Sequence, residues 1–127
     1  MCTPIFDEAA VILSKPALRE AAVQFRHSAR AWDALSEALL PEDVPLLHET
    51  RTLLLRRRDS FVAQGNGAVA EMKQIDGRLQ AIHNEAEANF PLTAAEVTTL
   101  CHTIAEHVLR VHDIETEAVA LLKAALA

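Results

Sequence analysis

The chain has 127 residues, of which half are hydrophobic and 24% are charged, with three glycines and no tyrosine. This composition is typical of a globular protein, and the abundance of Ala, Leu, Glu and Arg favours helix. Twelve basic and eighteen acidic residues give a formal charge of −6, which disfavours binding to nucleic acid or to an anionic membrane surface. The length predicts a single domain over residues 1–127.

The sequence carries no signal for export or for membrane insertion. No run approaches the eighteen apolar residues of a membrane span, and Asp7 and Glu8 stand where a secretory signal would have basic residues. The two cysteines, Cys2 and Cys101, fit reduced thiols better than a disulfide framework, and Cys101 lies on a predicted core stripe. We therefore expect a cytoplasmic protein that binds neither nucleic acid nor membrane.

Apolar periodicity and breaker residues predict five helices, over about 4–13, 15–40, 44–64, 67–89 and 93–126. Ser14 can cap the second helix, Gly65-Asn66-Gly67 separates the third from the fourth, and Thr93-Ala94-Ala95-Glu96 forms a capping box. Short loops make successive helices antiparallel neighbours. The predicted fold is an all-α, antiparallel up-down four-helix bundle with a short extra N-terminal helix. Trp32, the single tryptophan, is predicted to anchor its core.

The last ten residues, 118–127, are apolar on nearly every side, and a helix of that kind is normally buried. Either the short N-terminal helix or a second subunit would cover it. We expect both together, in a homodimer. The residues predicted at this interface are Ile5, Phe6, Leu121, Leu122 and Leu126.

A polar layer is predicted in the core or at its edge. Arg51 and Arg58 occupy seam positions between the recurring apolar positions 47, 54 and 61, and Glu115 interrupts the apolar register of the last helix. We expect Arg51 or Arg58 to pair with Glu115 or with a neighbouring acid. Such a pair fixes helix register more than it stabilises the fold.

The sequence shows no recognisable active site. A di-iron centre in a helical bundle uses Glu-x-x-His pairs, and none of the six histidines has Glu three positions before it. His83 with Glu87 and His102 with Glu106 share a helix face, as surface pairs commonly do. Because Cys101 is predicted to be buried, it is expected to be a core thiol. Phosphate loops, nucleophile elbows and zinc spacings are absent, so we expect no catalytic residue, cofactor or metal.

Several short motifs resemble the C-terminal helical region of butirosin biosynthesis protein H-like proteins. They are Phe6-Asp7-Glu8-Ala9-Ala10, Pro16-Ala17-Leu18, Trp32, Leu39-Leu40-Pro41, Phe90-Pro91-Leu92 and Glu117-Ala118-Val119-Ala120-Leu121. In that family the region follows a cysteine-peptidase-like domain associated with aminoacyl transfer from a carrier protein. This sequence lacks that domain, and none of its catalytic residues maps onto the chain. The resemblance implies a detached accessory or dimerisation module beside a separately encoded acyltransferase-like enzyme.

The sequence thus predicts a non-enzymatic interaction module, with two alternatives. Export chaperones of the flagellar type are also small, acidic, helical proteins with an apolar terminal helix. A protein of that class would bind its partner through Leu121, Leu122 and Leu126. A metal-binding, ferritin-like bundle is the third reading, and it would need a polar or roomy core that these apolar stripes do not indicate.

Overall fold

The computed structural model describes residues 3–127, and these residues form helices and contain no strand. The α-helices are α1 (Thr3–Ile12), α2 (Ala17–Leu39), α3 (Pro45–Gln64), α4 (Val69–Ala88) and α5 (Ala94–Leu126), with a 3-10 turn at Gly65–Ala68. The all-α prediction is confirmed, and every predicted helix end lies within two residues of the observed one. The prediction for the Cys2 thiol falls outside the described residues. Within the described part of the chain, no helix has the length and apolarity of a membrane span.

Two of the predicted helix ends have the expected chemistry. The backbone N–H of Thr93 donates to Glu96 Oε2 at 2.8 Å, and the N–H of Glu96 donates to Thr93 Oγ1 at 3.2 Å. These are the two reciprocal bonds of a capping box, which satisfy free N–H groups at the start of α5. Gly65 ends α3 with φ of 53° and ψ of −125°, a positive-φ conformation that glycine tolerates best, and its N–H donates to the carbonyl of Phe61.

Ser14 ends α1, which differs from its predicted use as the cap of α2. Its φ is 52°, its N–H donates to the carbonyl of Val11, and the N–H of Lys15 donates to the carbonyl of Ala10. These bonds define a Schellman motif, in which the residue after the helix adopts the left-handed conformation. Serine stands here where glycine is the usual residue, so the turn carries some backbone strain.

The chain divides into two compact units. The first unit contains α1, α2 up to Ala38 and α5 from Leu100 onward. Its buried apolar residues are Ala10, Leu18, Ala21, Ala22, Ala31, Leu35, Val111, Ala118 and Ala125. Ala10 of α1 packs with Leu18 and Ala125, and Leu122 adjoins this cluster. α1 therefore contacts the end of α5 at this cluster, while Val119 and Leu126 remain exposed, and the second subunit expected there stays a prediction.

Small side chains occupy most of the buried positions of the first unit. Close packing around them leaves large side chains on the same helices at the surface. Six of the nine buried apolar residues are alanines, and small residues allow helices to approach closely. The prediction that Trp32 anchors the core is wrong, because its side chain lies at the surface and is 52% exposed. The prediction of a buried Cys101 is also wrong, since that thiol is exposed on α5.

The second unit, Leu39–Thr99, contains the α3–α4 hairpin. Its helices are joined by the 3-10 turn, and its buried residues are Ala68, Ile75 and Ile82. None of the residues of α3 is buried. The apolar core of this unit is therefore thin, and much of the apolar surface of α3 remains in contact with solvent.

Candidate interaction surfaces

An apolar surface runs along α3, and we call it the hairpin face. It consists of Leu54, Leu55, Phe61 and Val62, all of them exposed. Phe61 and Val62 have 56% and 78% of their surface in solvent. Positions 54 and 61 are spaced by seven residues, as are 55 and 62, so the four side chains lie on one side of the helix. Clustered exposed apolar residues of this kind mark interaction sites more often than scattered ones do.

A groove of about 400 Å³ opens within this surface, between α3 and α4. Leu54, Phe61 and Met72 give it an apolar lining, and Arg57 and Arg58 complete its wall. Methionine adapts its shape to an incoming side chain, and arginine places an apolar stem beside a charged head. The groove is therefore suited to hold an apolar side chain from an amphipathic helix whose border is acidic.

Ion pairs cross between the two helices of the hairpin. Arg78 donates to both carboxylate oxygens of Glu49, at 2.6 and 2.8 Å. Arg56 donates to Glu71 Oε1 at 2.7 Å, and Ser60 donates to Glu71 Oε2 at 2.9 Å. A further pair joins Arg57 to Asp76 at 3.3 Å. Each contact lies near the surface, so these pairs select the alignment of the two helices more than they stabilise it.

These contacts lower the pKa values of two carboxyl groups. The hydrogen bond from Arg78 is the main cause of the lowered pKa of Glu49, and the pKa of Arg78 is raised by the same contact. The pKa of Glu71 is lowered first by its hydrogen bond from Ser60 and then by that from Arg56. Since hydrogen bonding and opposite charge favour the ionised carboxylate, acid weakens the link between α3 and α4.

Charge is distributed unequally between the two helices of the hairpin. α3 has four arginines and two acids, which gives a formal charge of 4 − 2 = +2. α4 has two basic residues and four acids, which gives 2 − 4 = −2. Three ion pairs join these opposite charges within one hairpin, so the charge difference holds α3 against α4.

A polar cluster in the first unit joins α2 to α5. Ser28 Oγ donates to Glu115 Oε1 at 3.0 Å, and Trp32 Nε1 donates to the same oxygen at 2.7 Å. Ser28 is only 5% exposed, and among the described residues it is the one polar residue that is buried. A carboxylate that accepts two hydrogen bonds in this way fixes α2 against α5 at one register.

The structure gives different partners to two residues of the predicted polar layer. Glu115 bonds to Ser28 and Trp32, while Arg58 pairs with its neighbour Asp59 at 2.8 Å on the exposed side of α3. Arg51 lies half-buried on α3 with its Nε atom inside the fold. Sequence periodicity had identified Glu115 as an unusual position on an apolar stripe. Ser28 was missed, because serine among alanines on a helix gives no periodic signal.

The residues of the predicted interface fall into two groups. Phe6 stacks on Phe25, with ring centroids 5.2 Å apart, and Leu121 and Leu122 are half-buried. Ile5 and Leu126 are exposed. Of the set, only these two present most of their surface to a partner. An export-chaperone function through the end of α5 therefore has fewer accessible residues than the sequence suggested, and it stays a prediction.

The two histidine–glutamate pairs noted in the sequence lie at the surface. His83 Nε2 lies 3.3 Å from Glu87 Oε1, which confirms a surface pair. His102 and Glu106 are both exposed. Within residues 3–127, no three His, Cys, Asp or Glu side chains are close enough together to hold a metal ion.

Comparisons of the chain with protein-family models, with curated proteins and with solved structures find no match. The resemblance to butirosin biosynthesis protein H-like proteins stays a prediction.

Proposed function

We propose that this protein is a non-enzymatic interaction module that self-associates as a homodimer through the hairpin face. The observation that carries the proposal is the exposure of Leu54, Leu55, Phe61 and Val62 on a helix that buries none of its residues. Because these side chains are partly exposed, each forfeits only a share of its transfer free energy, which is about 1.5–3 kcal/mol for a side chain that is fully buried. A partner on this face recovers that free energy.

A second copy of the chain suits the hairpin better than an unrelated partner does. In a two-fold arrangement, the hairpin face of one subunit packs against that of the other, and the same four apolar side chains are covered on both. The groove that contains Met72 would accept Phe61 of the partner, and the symmetry repeats this contact. Two such hairpins would supply four antiparallel helices, whereas the up-down four-helix bundle predicted within one chain stays a prediction.

Light scattering across a roughly hundredfold dilution series tests the proposal. We expect a mass of twice the 13.9 kDa chain mass, falling toward the chain mass at high dilution. Phe61→Arg places a charge in both copies of the contact and should weaken the dimer about 100-fold, because about 1.5 kcal/mol is lost twice. It should leave helix content unchanged, since Phe61 is exposed in the single chain.

Ala63→Arg is the matched control, since it puts the same charge two residues away on the opposite, exposed side of α3. It should leave the dimer intact. A monomer at every concentration would refute self-association. A dimer that resists Phe61→Arg as well as Ala63→Arg would place the contact elsewhere, with Ile5 and Leu126 as the next residues to change.

A further inference from the structure

A second feature of the first unit is a basic pocket between α2 and α5. It has a volume of about 380 Å³ and is lined by His27, Arg30, Ala31, Ala34, Arg110 and Ile114. The three residues of this lining that can carry charge are all basic. This is unexpected on a chain with a formal charge of −6. The pocket belongs to the first unit and the hairpin face to the second, so the two share no residue.

The two arginines of the pocket differ from most arginines of the chain. Arg26, Arg56, Arg57, Arg58 and Arg78 each form an ion pair with a carboxylate. In residues 3–127, neither Arg30 nor Arg110 forms an ion pair or a hydrogen bond with a carboxylate. Arg110 stays unpaired although Glu106 and Asp113 lie one turn away on α5. Two guanidinium groups at one pocket therefore keep their donors available to a ligand.

The third basic residue of the pocket is His27, whose ring contacts a neighbouring side chain of α2. His27 Nδ1 lies 3.2 Å from Gln24 Oε1, and Gln24 is one turn earlier on α2. In its protonated form, the imidazole donates through Nδ1 to Gln24 and leaves the Nε2 proton for a ligand. His27 and Arg30 are three residues apart, which puts both on the same side of α2, opposite Arg110 of α5.

We infer that this pocket binds a small organic phosphate monoester. Two guanidinium groups and an imidazole match a dianion, because each guanidinium can donate two parallel hydrogen bonds to phosphate oxygens. The floor is apolar: Ala31 is buried, and Ala34 and Ile114 are half-buried. The volume is at the lower end of the range for small-molecule sites, so a phosphate with a compact apolar body fits.

Phenyl phosphate, inorganic phosphate and benzoate test the assignment by calorimetry on the full-length protein. We expect phenyl phosphate to bind with a Kd below about 1 mM. Inorganic phosphate should bind more weakly, because it leaves the apolar floor uncovered, and benzoate at least fivefold more weakly, because it is a monoanion. Equal binding of benzoate and phenyl phosphate would overturn the choice of phosphate.

Variants test whether phenyl phosphate binds in this pocket or is only attracted to positive charge elsewhere on the protein. Arg30→Gln and Arg110→Gln should each weaken phenyl phosphate roughly tenfold, since hydrogen bonds between charged groups are lost. Both side chains are exposed, so circular dichroism should remain unchanged. Arg19→Gln, an exposed arginine of α2 outside the pocket, is the control and should leave the Kd unchanged. Weakening by Arg19→Gln equal to that of the pocket variants would overturn the site, as would no binding of phenyl phosphate to the parent protein.

Discussion

The carboxylate of Glu115 is the point at which one substitution should disturb the first unit most. Glu115→Ala removes the acceptor of two hydrogen bonds, from Ser28 at 3.0 Å and from Trp32 at 2.7 Å. A hydrogen bond to a charged group contributes about 1.5–3 kcal/mol, and the bond from the exposed Trp32 indole contributes less than that from buried Ser28. We expect Glu115→Ala to lower the free energy of unfolding by about 2–3 kcal/mol, mostly because the Ser28 hydroxyl remains buried without its acceptor.

Urea unfolding followed by fluorescence measures this loss directly. Trp32 is the only tryptophan and donates to Glu115, so the signal reports on the first unit alone. Glu115→Gln retains an acceptor oxygen and loses only the charge, so it should cost about 1 kcal/mol. In the Glu115→Ala background, Ser28→Ala should be neutral or stabilising, because it removes the buried hydroxyl that lost its acceptor.

Arg58→Ala is the matched comparison, because both side chains of the Arg58–Asp59 ion pair are exposed. It should change stability by less than about 0.5 kcal/mol. The reasoning would be refuted if Glu115→Ala cost no more than Arg58→Ala. It would also be refuted if Ser28→Ala cost the same with and without Glu115, since the two side chains would then act independently.

Three further changes probe the helix ends and the hairpin. Gly77→Ala should stabilise α4 by about 1 kcal/mol in chemical unfolding, because a methyl group at this position meets nothing within 4 Å; a loss of stability would show that a partner contacts this side of α4. Ser14→Gly should add about 0.5 kcal/mol in thermal melts, since relief of left-handed strain of about 1–2 kcal/mol exceeds the greater entropy of the unfolded chain; a lower melting temperature would contradict this. The lowered pKa of Glu49 means that the unfolded state binds more protons in acid, so the stability of the hairpin should fall as the pH drops below the ordinary value of 4.5. Hydrogen exchange measures this as a decrease in the opening free energy, after correction for the slower intrinsic exchange of amides in acid. Glu49→Gln should reduce that decrease, and an unchanged pH dependence of the opening free energy would show that its contact with Arg78 does not hold the hairpin.

Local sequence determined the helices of this protein. Prolines, the glycines after α3 and the Thr93–Glu96 capping box act within a few residues of the chain, because they satisfy or remove backbone hydrogen bonds at helix ends. The apolar character of residues 118–127 also predicted that α1 together with a second subunit would cover them, and α1 reaches this end at Ala10 while Val119 and Leu126 stay exposed. Ser14 shows the limit of this reasoning, since one serine can end a helix or begin the next.

Tertiary structure decided which part of each apolar stripe is buried. Alanines such as Ala22 and Ala118 are fully buried in the first unit, and the side chain of Trp32 lies at its surface, although all three belong to apolar faces. Periodicity identifies the side of a helix that faces a partner, but the distance between the axes selects the residues that fit. The same holds for the hairpin face, because the apolar heptad positions Leu54 and Phe61 of α3 remain exposed. Partners distant in sequence, such as Ser28 and Glu115, meet only after packing sets the register between helices, because hydrogen bonds require contact within about 3 Å.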